Sequence, residues 1–255
     1  MAKGNLGGKR SVSSAPRASA RSGPVQVAQV QPKMSKTYND FMDATEDERV
    51  DEIEQAMQQA VPSHLSNTDF QKAIYNLDLN DKPDLVDDKT LDSMSGTNLF
   101  RTVNSVYDSQ SDISYTPTDI AKQIQKGSIT RTSDNGGSAY GRGIYFADSY
   151  SDSVGYGRAV GDISKTAVVR AKLNQNAKII SYRQALNGAS SEISKGTKLG
   201  NMLSKADRDS RSSLYALAKG YNVVDNNSGY YVILNRRALT MSKDIRQANR
   251  YGQGW

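Results

Sequence analysis

The most unusual stretch of the chain, residues 140–157, reads YGRGIYFADSYSDSVGYG. A short aromatic segment between glycines leads into a serine-rich helix start, and Tyr156 follows one helical turn later. Tyrosines bracket a flat ring well, and serine hydroxyls can hydrogen-bond its polar substituents. The same pattern also fits a buried strand, with Ile144 and Phe146 in a core, followed by a capped helix. Taken alone, such a strand is more typical of a core than of a site.

Several classes of chemistry are excluded or disfavoured by residue content. The 255 residues contain no cysteine, which excludes disulfides, thiolate zinc sites and a cysteine nucleophile. The single histidine, His64, argues against a histidine-ligated metal site or a Ser-His-Asp triad. Gly141 and Gly143 form a GxG pattern, but a strand follows them where the dinucleotide fingerprint has a helix. No apolar run approaches the ~20 residues that span a bilayer. We therefore expect no metal and no membrane association.

Residues 141–156 resemble the nicotinamide-pocket segment of ADP-ribosyltransferases of the diphtheria-toxin and poly-ADP-ribose-polymerase type. That family reads close to G-x-G-I-Y-F-A-D, followed by S-x-S and a tyrosine. Residues 99–102 (LFRT) resemble the first family motif, and residues 230–235 (YYVILN) resemble the late strand that usually carries a catalytic glutamate. The resemblance covers roughly residues 96–240. The stretches LNDKP and YYVILNRRAL also look like phage-encoded members of the group.

The resemblance implies an α+β fold, with two packed small sheets and a cleft between them, and a role for each matching residue. Arg101 would contact the ribose or phosphates of NAD, and the backbone of Thr102 would hold the nicotinamide carboxamide. Tyr145 would line one face of the nicotinamide, and Tyr156 would stack on it. Ser153 would hydrogen-bond the carboxamide. The implied catalytic residues are Arg101, Tyr145 and Tyr230, and the implied NAD-binding residues are Arg101, Thr102, Gly143, Tyr145, Ser153 and Tyr156.

The chain departs from the family at the catalytic glutamate. Cleavage of the nicotinamide–ribose bond passes through a cation-like state that a carboxylate stabilises, and losing such an interaction typically costs on the order of 10²–10³ in rate. Tyr230 stands at the glutamate position, and residues 101–255 contain one glutamate, Glu192, in a stretch that reads as a loop. Some mono-ADP-ribosyltransferases also lack the glutamate and are thought to borrow a carboxylate from the acceptor. Tyr230 therefore argues against chain elongation and leaves single transfer open.

The formal net charge of +6 conceals three segments of different sign. Residues 1–33 carry +6 without any acidic residue, residues 34–100 carry −10, and residues 101–255 carry +10. Residues 1–37 lack aromatic side chains before Tyr38 and are rich in small polar residues, which predicts a disordered tail. Two interpretations of this tail stay open: a basic arm that binds nucleic acid or an acidic partner, and a solvated linker. The basic excess of residues 101–255 could serve NAD's pyrophosphate or an acidic target, or dock the acidic segment of the same chain.

Three further segments are predicted from periodicity and capping signals. Residues 38–95 form a helical segment, with helices after Thr45, after Asn67 or Thr68, and after Asp87. Residues 96–240 form the ADP-ribosyltransferase-like domain, and residues 241–255 form a polar, frayed C-terminal tail. Within the domain we expect a helix that begins at the Thr116-Pro117 pair and ends near Gly127, a second helix over residues 209–219, a hairpin over residues 221–235, and strands over residues 98–104, 143–147, 166–173 and 177–182.

The leading interpretation is mono-ADP-ribosyl transfer from NAD, as substrate, to a protein or other macromolecular acceptor, with release of nicotinamide. The setting implied by the resemblance is a phage virion or the bacterial cytoplasm, and residues 1–33 lack the apolar core of a secretory signal. A first alternative is an inactive structural or NAD-binding protein with the same fold, which the missing glutamate favours. A second is an NAD-dependent transferase that modifies RNA, which the basic charge allows.

Overall fold

The structure, a computed structural model, describes residues 38–60, 82–108, 112–127, 140–160 and 165–248. The predicted disordered tail of residues 1–37, the predicted helix after Asn67 and His64 lie outside these residues. The described part contains eight α-helices: α1 (Tyr38–Asp43), α2 (Glu46–Ala60), α3 (Asp88–Ser93), α4 (Pro117–Gln125), α5 (Tyr150–Val160), α6 (Tyr182–Lys195), α7 (Lys198–Lys205) and α8 (Arg208–Ala218). None of the described helices is long and apolar enough to cross a membrane.

Eleven strands accompany these helices in the described residues, so the predicted mixture of helices and strands is confirmed. The strands are β1 (Asp84–Val86), β2 (Asn98–Val103), β3 (Val106–Asp108), β4 (Ile113–Tyr115), β5 (Ile144–Ala147), β6 (Ala167–Leu173), β7 (Ile179–Ser181), β8 (Val223–Asp225), β9 (Tyr230–Ile233), β10 (Leu239–Ser242) and β11 (Arg246–Gln247). Nine of them form one sheet in the order β1-β10-β6-β2-β5-β9-β8-β7, with β11 beside β6, and β3 and β4 form a separate ribbon.

The large sheet is nearly interrupted between β2 and β5. These antiparallel strands share one residue pair, Phe100 with Ala147, whereas β2 and β6 share six pairs. The prediction of two packed sheets is therefore corrected. Nine of the eleven described strands belong to one sheet, whose two halves meet at a single pair. Because the ladder stops there, backbone groups beyond the pair need other partners.

Helices cover both faces of the sheet. Side chains of successive strand residues point to opposite faces, so Val232 and its neighbour Ile233 belong to different cores. Helices α1, α2, α6, α7 and α8 pack on the Val232 face, and α4 packs Ile120 and Ile124 on the other. Helix α5 packs Val154 against Phe100 on the face that Phe100 shares with Ala147.

The helix after Thr116 begins as its sequence predicts. Thr116 is the N-cap, Pro117 occupies the first turn, and the side chain of Asp119 accepts from the Thr116 backbone N–H to complete a capping box. The chain leaves this helix through Gly127, whose φ is +72°. Arg236 Nη1 donates to the carbonyl of Ile124 at 3.1 Å and thereby caps the C-terminal end of α4.

The acidic segment, predicted as a helical segment of residues 38–95, lies in one compact unit with the residues that follow it. Phe41, Val50 and Ile53 lie in one core with side chains of α7 and α8. Strand β1, also in this segment, pairs in parallel with β10. Its three residues are too few to show a strand period in the sequence.

Ion pairs join the acidic segment to the basic residues that follow, as one interpretation of the charge pattern predicted. On α2 these pairs are Asp51–Lys198 at 2.7 Å, Glu54–Lys205 at 3.3 Å and Glu46–Lys219 at 2.7 Å. On α3, Asp92 pairs with Arg170 and Asp88 pairs with Arg246. Part of the basic excess is therefore neutralised within the chain.

Two further expectations are wrong. The polar tail expected from residue 241 is a buried strand at its start, because Thr240 and Ser242 of β10 hydrogen-bond Asn174 and Asp88 within the chain. Glu192 lies in helix α6 and not in a loop, and a capping box of Ser181 and Gln184 begins that helix. Polar residues occupy most of the exposed positions of α6, and its buried residues are the small Ala185 and Ala189. The serine-rich sequence therefore resembles a loop.

Because α2 packs in the core shared with α7 and α8, we expect a core substitution in α2 to lower the free energy of unfolding strongly. Ile53, 1% exposed, loses buried methyl groups in Ile53→Ala, and we expect the free energy of unfolding to fall by about 2–5 kcal/mol. Gln55→Ala, on the exposed side of the same helix, should change it by less than about 0.5 kcal/mol. Denaturant unfolding of the full chain measures both, and equal stability of the two variants would contradict the shared core.

Candidate active site

The backbone of β2 is held open beyond its last pair with β5 by Ser153. Continuing the register would put Thr102 opposite Tyr145, but the Thr102 N–H donates to Ser153 Oγ at 2.8 Å instead. The hydroxyl of Thr102 lies 2.9 Å from the same Ser153 oxygen. Ser153 is 4% exposed, so helix α5 supplies a buried hydroxyl in place of a strand. An N–H and two hydroxyls therefore meet at the opening. The N–H and the Ser153 hydroxyl are the groups that the resemblance assigns to a carboxamide, and the Thr102 hydroxyl adds a third group.

Arg101 holds the other side of the opening. Its Nη1 donates to the carbonyl of Tyr145 at 2.6 Å, the group that a continued ladder would have paired with β2. Its Nε is buried and has no hydrogen-bond partner. Burial lowers the pKa of Arg101 to about 10, and the nearby phenols of Tyr156 and Tyr145 oppose this lowering whereas Arg236 adds to it. The guanidinium remains charged at neutral pH, and part of its donor capacity is unused.

Tyr145 forms a wall of the opening, and its hydroxyl is already bound. The Tyr145 Oη donates to the carbonyl of Gly141 at 2.7 Å and accepts from the N–H of Tyr140 at 3.1 Å. Burial raises the pKa of Tyr145 well above its ordinary value. This side chain is therefore a neutral, fixed ring at neutral pH, suited to contact a flat ligand but not to transfer a proton.

Tyr156 and Tyr230 complete an aromatic group around the opening. Tyr230 pairs across the strands with Ala147, on the same face as Tyr145, and Tyr156 projects from α5 with 46% of its surface exposed. Burial raises the pKa of Tyr230, and the charges of Asp152, Tyr140 and Tyr156 add to the effect. In Arg101 and Tyr145, burial is the largest cause of the pKa shift, and the charge of Tyr156 raises the pKa of both groups. Tyr230 thus faces the opening and does not point into the core.

Gly143, one of the predicted NAD-binding residues, has a packing role. Its φ is +153°, and a Cβ there would lie 2.6 Å from Val232 Cγ1 and 2.8 Å from the Ile233 carbonyl oxygen. Glycine is required because β9 passes so closely. The structure brings Gly143 next to β9, while the backbone and side chains at the opening come from the other five predicted binding residues: Arg101, Thr102, Tyr145, Ser153 and Tyr156.

Glu192 is not at the opening. Its carboxylate accepts from the Thr197 hydroxyl at 2.7 Å and from Lys219 Nζ at 3.3 Å, and these bonds lower the pKa of Glu192, Thr197 first. Lys219 in turn bonds Glu46 of α2. The glutamate therefore stabilises helix packing. Among the described residues, no group of three or more His, Cys, Asp or Glu side chains is placed to hold a metal ion.

Two residues near the opening were missed by the sequence analysis. Tyr140 precedes the GxG pattern and packs edge-on against Tyr182 at a centroid distance of 5.4 Å. Asp152 precedes Ser153 and lies four residues before Tyr156, so it projects from the same side of α5 as that tyrosine. The helical spacing of Asp152 and Tyr156 was available in the sequence and could have identified the aspartate.

Close contact between α5 and β2 predicts opposite effects of alanine at two glycines of one helix. A Cβ at Gly157 would lie 2.4 Å from Thr102 Cγ2, so Gly157→Ala should lower the free energy of unfolding by about 1–3 kcal/mol. Gly155 has no atom within 4 Å of its Cβ position, and Gly155→Ala should raise it by up to about 1 kcal/mol.

Denaturant unfolding measures both alanine variants. Thr102→Ser, which removes Cγ2, should restore part of the stability that Gly157→Ala loses. Similar losses at both glycines, or no recovery with Thr102→Ser, would contradict the contact.

Comparisons with known proteins add no relative to this description. Protein-family models, curated proteins and solved structures were each searched, and none matches the chain. A function is therefore inferred from the residues around the β2–β5 opening and from the resemblance of residues 141–156 to the nicotinamide-pocket segment.

Proposed function

We propose that the protein is a mono-ADP-ribosyltransferase that uses NAD as substrate, releases nicotinamide and modifies a macromolecular acceptor, most simply a protein. The observation that carries the proposal is convergence: Arg101, Thr102, Ser153, Tyr145, Tyr156 and Tyr230, drawn from four elements, surround the opening between β2 and β5. The resemblance assigns Tyr230 of this set to catalysis and the others, together with Gly143, to NAD binding. A merely structural likeness of residues 141–156 would not require the other two segments to meet them.

The polar groups of the opening complement a carboxamide. Its carbonyl needs a donor such as the Thr102 N–H, and its amino group needs an acceptor such as a hydroxyl oxygen. Without ligand, Ser153 Oγ occupies the Thr102 N–H. Binding therefore exchanges this internal bond for bonds to the ligand, so the net gain from the amide is modest and most of the affinity must come from the rings and phosphates.

The rings and charge of the opening suit the rest of NAD. Tyr156 is exposed enough to stack on a nicotinamide that lies against the fixed ring of Tyr145. The Arg101 guanidinium keeps its positive charge, which suits a phosphate or ribose oxygen. Fixed rings on both sides orient the nicotinamide–ribose bond, and such positioning lowers the barrier to its cleavage.

One specific observation favours a second candidate function, an NAD-binding protein that does not catalyse transfer. Tyr230 has a phenol where active relatives have a carboxylate, and burial raises its pKa, so it stays neutral. Glu192 is committed to Lys219 and Thr197. An opening without a carboxylate would bind NAD yet stabilise a cation poorly. The two candidates differ in whether nicotinamide is released.

A matched pair of exposed tyrosines tests NAD binding and transfer together. Stacking on an aromatic side chain is worth about 1–3 kcal/mol, so Tyr156→Ala should lower kcat/KM for NAD by about 5- to 150-fold. Tyr107→Ala, on the ribbon strand β3 with 63% of the tyrosine exposed, should leave it unchanged within about twofold. The activity of both variants is measured in two ways. Chromatography quantifies the released nicotinamide, and radioactive NAD labels the acceptors in a bacterial lysate.

The possible outcomes separate the candidate functions. Label on protein that is lost in Tyr156→Ala supports mono-ADP-ribosyl transfer. NAD binding without nicotinamide release supports the inactive binding protein. Label on RNA supports the RNA-modifying transferase. Absence of NAD binding by calorimetry at millimolar concentration contradicts all three.

A further inference from the structure

We propose that Asp152 is the catalytic carboxylate of the β2–β5 opening, in place of the missing glutamate. It stabilises the ribose cation and accepts the proton of the acceptor. The inference rests on the proposed transferase function and names the group that the function lacks. No described strand residue at the opening carries a carboxylate, so the charge has to come from a neighbouring element.

The position of Asp152 follows from the geometry of helix α5. Ser153 and Gly157 form the buried seam of this helix against Thr102, through the 2.8 Å hydrogen bond and the close Cα approach. Asp152 and Tyr156 are one turn apart beside that seam and are both exposed. The N–H of Asp152 donates to Ser149 Oγ at 3.2 Å, which fixes the first turn of the helix. The carboxylate therefore stands on a rigid element next to the proposed stacking tyrosine.

The register of α5, with Ser153 and Gly157 against Thr102, leaves Asp152 and Tyr156 together beside this contact, near enough to Tyr230 of β9 for an electrostatic interaction. Burial is the largest cause of the raised pKa of Tyr230, and among the neighbouring charges Asp152 raises that pKa most, with Tyr156 also contributing. Tyr230 is fixed opposite Ala147 in the β5–β9 ladder, on the face of Tyr145. Asp152 thus approaches, from the helix, the strand position at which the family carries its glutamate.

The other carboxylates of the neighbourhood are less suited. Glu192 is bound by Lys219 and Thr197. Asp148 lies over the β8–β9 turn, where its Oδ1 is 2.8 Å from the Cβ position of Gly229 and its N–H donates to the Gly229 carbonyl. The carboxylate of Asp152 has no hydrogen-bond or ion-pair partner among the described residues and is exposed to an approaching acceptor.

The chemical step assigns two roles to this carboxylate. The C1′–N bond of NAD breaks, and its electron pair leaves with the nicotinamide nitrogen, which becomes neutral. The ribose C1′ becomes a cation that the negative charge of Asp152 stabilises. A lone pair of the acceptor then forms the new bond to C1′, and the acceptor proton passes to Asp152 and from there to water. The products are ADP-ribosylated acceptor, nicotinamide and one proton.

Replacement of one carboxylate by an amide tests the proposal in the full chain. Asp152→Asn should lower kcat for nicotinamide release about 100-fold, while KM for NAD changes by less than about threefold, since the charge acts in the transition state and not in NAD binding. Asp152→Glu keeps the charge and should recover at least about a tenth of the activity. Asp244→Asn removes the same charge from an exposed position between β10 and β11 and should retain full activity.

Melting temperatures within a few degrees of the parent chain establish that the variants fold. Asp152→Asn with activity within about threefold of the parent overturns the assignment, and so does a loss in Asp148→Asn that Asp152→Asn does not share. If the parent chain binds NAD but releases no nicotinamide, the transferase function and this inference both fail. Activity in the parent that survives Asp152→Asn removes the inference alone.

Discussion

The early end of the β2–β5 ladder is the constraint on which the rest of the site depends. Past the pair of Phe100 and Ala147, two backbone groups that strand pairing would have satisfied are bound by side chains instead, the Thr102 N–H by Ser153 and the Tyr145 carbonyl by Arg101. Buried backbone groups without partners are costly, so an opening in the middle of a sheet persists only if such substitutes are present. Arg101 and Ser153 therefore shape the opening before any ligand arrives.

The same constraint explains the glycines of residues 141–157. Ser153 reaches Thr102 only if α5 lies directly on β2, and Gly157 permits this contact because a Cβ there would overlap Thr102 Cγ2. Tyr145 keeps its ring at the edge of the opening because its hydroxyl is bound to the Tyr140–Gly141 backbone. The motif thus encodes a shape as well as a set of functional groups, and its polar residues stabilise the unliganded fold.

Local signals predicted much of the secondary structure, and long-range pairing explains several of the strands that they missed. Residues 98–104 and 143–147 and the Thr116 cap were predicted because alternation and capping are local. The single pair between β2 and β5, the parallel pairing of β1 with β10 and the buried polar strand β10 depend on partners more than 40 residues away. The candidate site residues were identified by resemblance. The spacing of Asp152 and Tyr156 links the aspartate to that set in the sequence, but only the packing of α5 on β2 shows where on the helix the pair stands.

The opening is an aromatic and largely neutral environment, which limits the chemistry it can perform. Burial raises the pKa values of Tyr145 and Tyr230, so neither phenol supplies negative charge at neutral pH, and Arg101 adds a positive charge. Such a site favours binding of an anionic dinucleotide but opposes a cation on its ribose. Among the described residues near Tyr230, negative charge stands at the exposed rim, on Asp152 of α5 and on Asp148 just before this helix, and the proposed acceptor would reach the same rim. In the proposed transfer, cation stabilisation and acceptor entry share one location, an arrangement that favours a single transfer to a bound acceptor over repeated addition to a growing chain.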